Sequence, residues 1–411
     1  MQRMKKDVPP LLGVALILAV LATVLVLYWR VLLREETRGA GGGGMGGSRS
    51  PGGVAAPAGL REVEVETVAG QTQAGYRDGP AAQALFSGPA AVAVAGDTVY
   101  IADSRNHAIR ALRDGQVATI AGGTAEPGYA DGPGRAARLS SPAGIAVGPH
   151  GSIFIADTGN HRIRRLSPDG AVSTYAGAAT PKDDLGRELG GYLDGPAAVA
   201  QFRYPVGLEV DGDGTLYVAD AGNHAVRRIS PGGVVTTIAV EGKLESPTAV
   251  CLTPDGAIWV SDTAGAGLWT GPAAGPLRRW KGKGESVEGS FAPAGIALAA
   301  DGASPDRLYV ADSASNCIFR LEADRRTLVA GQGGAQTSSS VDGTGDVARF
   351  LCPAGLAAGG GQGIYLADCG NNLIRRVDLS AMGAHPEGRV PGGGERRSRA
   401  GGRRGGGRSA G

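Results

Sequence analysis

One stretch, Val99-Tyr-Ile-Ala-Asp-Ser-Arg-Asn-His-Ala-Ile-Arg110, constrains this chain more than any other feature, because it recurs along most of it. Further copies run from Ile153 to Arg165, from Leu216 to Arg228, from Leu308 to Arg320 and from Ile364 to Arg376. A copy at Ile258 to Thr263 loses its second half. A unit recurring about every 50 residues cannot bury an apolar face alone, so the copies must stack on one another.

Each unit resolves into four strand-like runs, as the second shows. Pro142-Ala-Gly-Ile-Ala-Val147 is followed, after the turn Pro149-His-Gly151, by Ile153 to Ala156. Asp157-Thr-Gly-Asn160 then leads to Arg162 to Leu166, and Ser167-Pro-Asp-Gly170 to Val172-Ser-Thr-Tyr-Ala-Gly177. Tight Gly-containing turns between β-branched and aromatic runs are hairpin signals, and helical periodicity is absent. The units predict four-stranded antiparallel meanders packed face to face around an axis, an all-β propeller. The fourth-strand signature, Val-x-Thr-x-Ala-Gly, ends at Gly122 and Gly177, with weaker copies at Val235 to Ala239, Arg278 to Gly282 and Thr327 to Gly331. The sixth unit has none after Val377, but Val65-Glu-Thr-Val-Ala-Gly70 stands before the first. The expectation is a six-bladed β-propeller closed by an N-terminal strand that completes the last blade and removes a free sheet edge.

The propeller is assigned to residues 62–380. Ahead of it come a short tail (1–7), an uncharged apolar run (8–29) and a Gly/Ala/Pro/Ser-rich flexible linker (30–61). The run is long enough to span a bilayer, and it ends in Tyr28, Trp29 and Arg30, an interfacial anchor rather than a cleavage site. It is expected to be a single-pass transmembrane helix. Arg3, Lys5 and Lys6 before it balance Arg30, Arg34 and Arg38 after it; the short leading tail favours a propeller outside the cytoplasm. Residues 381–411 form a Gly/Arg-rich tail without aromatic residues to stack on bases, expected to be disordered.

The formal charge of +2 divides unevenly: 1–61 and 381–411 carry +5 each, leaving −8 on 62–380. That acidic balance argues against nucleic-acid binding by the propeller. Cys251, Cys317, Cys352 and Cys369 contain no C-x-x-C pair; they read as buried free thiols, with a Cys352 to Cys369 bridge as the alternative.

The unit Pro-x-Gly-[Ile/Leu]-Ala-Val, then Tyr-[Ile/Val]-Ala-Asp-[Ser/Thr]-x-Asn-His-x-[Ile/Val]-Arg, then Val-x-Thr-x-Ala-Gly, resembles the NHL repeat. Its Asn-His pair stands at Asn106-His107, Asn160-His161 and Asn223-His224, becomes Asn316-Cys317 and Asn371-Asn372, and is missing where Ala264-Gly-Ala-Gly267 stands. The resemblance implies a six-bladed propeller but no single activity.

Between the units, Gly75-Tyr-Arg-Asp-Gly-Pro80, Gly128-Tyr-Ala-Asp-Gly-Pro133 and Gly191-Tyr-Leu-Asp-Gly-Pro196 recur, with a weaker Ser340-Val-Asp-Gly-Thr344. These crossings share one face with the turns between second and third strands, and as the longest connections they carry most of the variable surface. Tyr76, Asp78, Tyr129, Asp131, Tyr192 and Asp194 are accordingly the candidates for binding a protein or small ligand.

Asp103, Asp157, Asp220, Asp262, Asp312 and Asp368 close the second strand of every unit, where an Asp can accept turn N–H groups and pair with an arginine such as Arg110 or Arg164. With Asn106, Asn160, Asn223, Asn316 and Asn371 they are assigned a structural role. His107, His161 and His224 share one outer repeat position, too far apart to converge on a metal as in some propeller lyases with related repeats. They are expected to orient the turn. Asp211-Gly-Asp-Gly214 lacks the later ligands of a calcium loop and reads as a hairpin turn. At the first-strand position held by Ala93, Ala146, Ala297 and Ala357, units three and four carry Glu209 and Cys251, which either fill the core or line the central channel. No cofactor or metal is expected. The chain reads as a membrane-anchored, extracytoplasmic binding or scaffold module for a protein, glycan or small ligand. The alternative is a metal-dependent propeller lactonase or lyase at the central channel, for which Glu209 is the isolated catalytic candidate.

Overall fold

A computed structural model describes residues 58–383, apart from 124–125, 285–290, 301–306, 323 and 333–339. The apolar run at 8–29, most of the linker and most of the C-terminal tail lie outside the described residues. Among the described residues, no helix is long and apolar enough to cross a membrane.

The described chain forms six sheets arranged as the blades of a propeller, antiparallel except where Lys283–Gly284 pairs parallel with Arg325–Ala330, and joined by turns and short 3-10 segments. Blade 2 shows the plan. Its innermost strand is Gly144–Val147, followed outward by Ile153–Asp157, Arg162–Leu166 and Ala171–Ala176. The second strand is buried throughout, as expected for a strand covered on both faces. The outermost alternates between exposed and buried positions over its first half. In blade 6 the inner strands are Pro353–Ala358, Gly363–Asp368 and Leu373–Asp378. The fourth is Glu64–Gly70, antiparallel to Leu373–Asp378 with Val65 opposite Val377 and Ala69 opposite Ile374.

The core consists of six apolar seams, each shared by two neighbouring blades. Between blades 2 and 3, for example, Phe154, Ala156 and Ile163 pack against Leu208, Leu216, Val218 and Ile229. Full burial of such side chains contributes roughly 1.5–3 kcal/mol each.

Two details differ from the sequence-based expectation. Five of the six sheets have five strands rather than four, because a two-residue piece of the crossing lies outside the fourth: Gly-Pro in blades 1 to 3, Gly343–Thr344 in blade 6 and Lys283–Gly284 in blade 5. Gly79 pairs with Val117 and Gly195 with Val235. The glycines that open these pieces sit at φ +123° (Gly79), +141° (Gly132), +130° (Gly195) and +129° (Gly343), a region closed to side chains bearing a Cβ. Aligning motif letters could not reveal so short a strand. Blade 5 is also shifted by one position. Asn316, not Cys317, adopts the left-handed conformation of His107 (φ +58° against +53°), and Ser315 takes the place of Asn106. The aromatic Phe319 therefore stands where blades 1, 2, 3 and 6 carry arginine.

Candidate functional site

The recurring aspartates build a belt around the crossing face. Asp103 accepts the Ser87 N–H at 2.8 Å on one oxygen; on the other it accepts Asn106 Nδ2 at 2.8 Å and Arg110 Nη1 at 2.7 Å. Arg110, fully buried, extends its other amino group to Asp78 at 2.6 Å. Asp78 also accepts the Thr119 hydroxyl at 3.0 Å, and Asn106 donates to the Gly75 carbonyl at 2.8 Å. One guanidinium thus fastens the crossing segment to the end of the second strand and, through Thr119, to the fourth.

The same staple recurs as Asp157–Arg164–Asp131, with ion-pair distances of 2.7 and 2.5 Å, and as Asp220–Arg227–Asp194, at 2.7 Å for both. In blade 6 it is Asp368–Arg375–Asp342 at 3.0 and 2.6 Å, and Asp342 accepts both the N–H and the hydroxyl of Thr67. Burial pushes Asp220 and Asp368 up to about 6, opposed by the amides and guanidinium groups that hold their charged forms. Asp78 and Asp131 go the other way: against modest burial, threonine and arginine contacts hold them below the ordinary carboxylate range.

The crossing-face candidates therefore all have partners within the chain. Tyr76, Tyr129 and Tyr192 share hydroxyl hydrogen bonds with Thr119 (2.8 Å), Thr174 (2.7 Å) and Thr237 (3.2 Å). Their rings lie 4.8–5.0 Å from the carbons of Arg110, Arg164 and Arg227. They nonetheless keep one face in solvent, at 41%, 47% and 57% exposure. Between blades 2 and 3 the crossing adds a hairpin braced by Asp183, which accepts the Leu185 and Arg187 N–H groups at 2.9 Å. It carries Leu185 and Leu189 into solvent, and Tyr192 and Leu193, which follow in the same crossing, are exposed as well.

The histidines connect blades. His107 Nδ1 accepts the Ser141 N–H and His161 Nδ1 the Tyr204 N–H, both at 3.0 Å; His224 Nδ1 meets the Glu245 carbonyl at 2.5 Å. Asn316 and Asn372 replace the ring nitrogen with an amide oxygen, accepting the Cys352 and Gly88 N–H groups at 2.8 and 2.9 Å. In blades 1, 2, 5 and 6 the residue accepts a backbone N–H of the next blade, a role that His and Asn fill alike, whereas in blade 3 His224 donates to a carbonyl instead. Among the described residues, no three His, Cys, Asp or Glu side chains group as metal ligands. All four cysteines are free thiols.

Blades 4 and 5 depart from the belt. Trp269 and Phe319 occupy the arginine position, and Asp262 is satisfied by the N–H groups of Glu245, Ser246 and Gly265. In blade 5, Arg326 arrives from the fourth strand and lies over Phe291 and Phe319 at 4.1 and 4.6 Å.

The innermost strands enclose a central cavity of about 460 Å³. Neighbouring inner strands approach closely at their glycines: a Cβ on Gly144 would lie 1.8 Å from the Val206 carbonyl oxygen, and one on Gly207 2.5 Å from that of Thr248. These glycines sit in the first half of their strands, toward the crossing face. Beyond them, near the opposite face, Glu209 and Cys251 line the cavity among Val, Leu, Ile, Ala and Gly side chains. Glu209 is half-buried, and burial pushes its carboxyl from the ordinary 4.5 up to about 8. Cys251 is buried in the seam between blades 4 and 5, and burial with the Glu209 charge raises its thiol.

Sequence reasoning gave no role to the threonine of Val-x-Thr-x-Ala-Gly, although its recurrence at Thr67, Thr119, Thr174 and Thr237 was the available signal. Nor did it anticipate that the left-handed residue of one blade accepts a hydrogen bond from the next.

The architecture is that of a six-bladed β-propeller, and two family models match stretches of it. The NHL repeat model matches residues 86–112, and the teneurin NHL domain model matches 134–230. Among relatives, the chain is 28% identical over 317 residues to NHL repeat-containing protein 2 of Bos taurus, covering 74% of this chain and 40% of that protein. It is 33% identical over 158 residues to the chloroplastic protein SUPPRESSOR OF QUENCHING 1 of Arabidopsis thaliana, covering 35% and 14%. The chain thus spans less than half the length of either. An auxiliary nutrient binding protein from Bacteroides thetaiotaomicron shares the fold at a TM-score of 0.56 and 16% identity, over 77% of this chain and 76% of that one. A gluconolactonase from Xanthomonas campestris shares it at 0.51 and 16%, over 78% and 91%.

Proposed function

We propose that this chain is a membrane-anchored binding module whose propeller, closed by Glu64–Gly70 and held outside the cytoplasm by residues 8–29, docks a protein, glycan or small ligand on its crossing face. The observation that carries the reading is the apolar patch of Leu185, Leu189, Tyr192 and Leu193. It is presented on a braced hairpin, where a purely structural crossing has no need of solvent-facing leucines. The tyrosines of the belt extend it: rigid aromatic faces held by internal hydrogen bonds lose little entropy on binding. The nutrient-binding propeller noted above supports a binding role by likeness of fold.

The test is affinity capture with the full chain in detergent-solubilised membranes, comparing wild type with a Leu185→Asp/Leu189→Asp variant. The expected result is a partner retained by the first and lost by the second at equal folded yield. Equal retention by both refutes the crossing-face assignment. The lactonase or lyase alternative rests on Glu209 together with the gluconolactonase-like fold. Stoichiometric calcium or zinc in the purified chain would favour it.

A further inference from the structure

The channel holds an acid with no cation to answer it. Glu209 has no hydrogen bond or ion pair to any described residue, whereas every buried Asp of the belt has several. Of the described side chains lining the cavity, only Glu209 and Cys251 titrate, and Thr248 is the one other with a polar side chain. Packing does not demand a carboxyl there, since four other blades place alanine at the same position.

We infer that Glu209 and the channel wall around it form a binding site for a small organic ammonium ion, a protonated amine on an apolar body. Three independent features of the channel point to that chemistry. Its walls are aliphatic, with Val147, Leu208, Val210 and Leu252 available to a hydrocarbon group. Each innermost strand is the edge of its sheet, so its channel-side carbonyls have no strand partner and can accept the ammonium N–H groups that Glu209 leaves over. The turns at the mouth nearest Glu209 carry Asp97, Asp211, Asp213 and Asp255 against a single histidine, His150, among the described residues, a balance that attracts cations. A lone carboxylate is a poor seat for calcium or zinc, which require several donors.

An isolated acid in such surroundings stays neutral by keeping its proton. Its neighbours do not supply a charge. Cys251 faces it as a thiol, and the Tyr217 hydroxyl on the paired strand is engaged by Asp211 at 3.3 Å. Arg228 acts on that same tyrosine. An incoming ammonium replaces the proton: the carboxylic acid ionises, the proton leaves for solvent, and a neutral carboxylate–ammonium pair remains in the channel.

The test is calorimetric titration of the full chain in detergent with cyclohexylammonium chloride at neutral pH, in two buffers of different ionisation enthalpy, with cyclohexanol as the neutral isostere. Saturable binding is expected, with release of up to about one proton per ligand. Glu209→Gln should weaken it about tenfold or more without changing the response to cyclohexanol. Glu209→Ala, which installs the residue of the other blades, should do the same and guards against a folding defect in the glutamine variant. Unaltered affinity in both variants, no saturable binding to wild type, or tighter binding of cyclohexanol than of its ammonium counterpart each overturns the proposal. The crossing-face capture experiment leaves these outcomes untouched, because it concerns the other end of the ring.

Discussion

The belt and the channel place carboxylates in opposite circumstances. In the belt, Asp157 is fully buried yet accepts from Arg164, Asn160 and the Ser140 N–H within 2.8 Å. In the channel, Glu209 is less deeply enclosed but unanswered, and its carboxyl is pushed up to about 8. The belt acids recur because every blade must fasten a crossing. The channel acid occurs once, and no other blade needs it. Repetition in a propeller therefore marks what holds the ring together, and departure from repetition marks what the ring can do.

The sharpest way to break this contrast is to remove a belt cation. Arg164→Leu should destabilise the propeller by about 3–5 kcal/mol in urea unfolding, because Asp157 stays buried without its counter-charge. A loss below about 1 kcal/mol would show that neighbouring N–H groups suffice, as they do for Asp262 in blade 4. Next in size is the channel acid. A carboxyl raised in the folded state keeps its proton where the unfolded chain, titrating near 4.5, has lost it. Wild-type stability should therefore fall as pH rises from that value to about 8 and then level off. Glu209→Gln lacks this decline. Its stability relative to wild type should rise by roughly 2–3 kcal/mol between acid and alkaline conditions, allowing for water in the channel. A constant difference across the pH range would place Glu209 in an aqueous setting.

Smaller effects sharpen the comparison. Gly207→Ala brings a Cβ within 2.5 Å of the Thr248 carbonyl oxygen and should cost about 2 kcal/mol as the inner strands are forced apart. A neutral result would mean that the channel is more plastic than its close contacts imply. Thr174→Val removes one arm of a belt staple, its hydroxyl bond to Asp131, while leaving the backbone N–H in place. A loss of about 1 kcal/mol in thermal melting is expected.

Much of this was legible from residue order. The six units, their strands and the pairing of Asp103 with Arg110 follow from repeat spacing and turn chemistry. Glu209 announced itself by interrupting a column of alanines. The crossing-face tyrosines and aspartates were legible as a set but not in their bonding, because Asp131 meets an arginine 33 positions away. No local rule brings those two together. The one-position shift in blade 5 was hidden because Asn316 looked like the first half of an Asn-His pair, whereas its backbone conformation places it in the second.

By itself the sequence determined that there would be blades, how many, and which residues end their strands, since alternation and glycine turns act over a few residues at a time. Tertiary structure alone decided which carboxylates found a guanidinium and which was left facing an apolar channel. Charge pairing depends on which segments the folded propeller brings within about 3 Å, and chain order does not encode that distance.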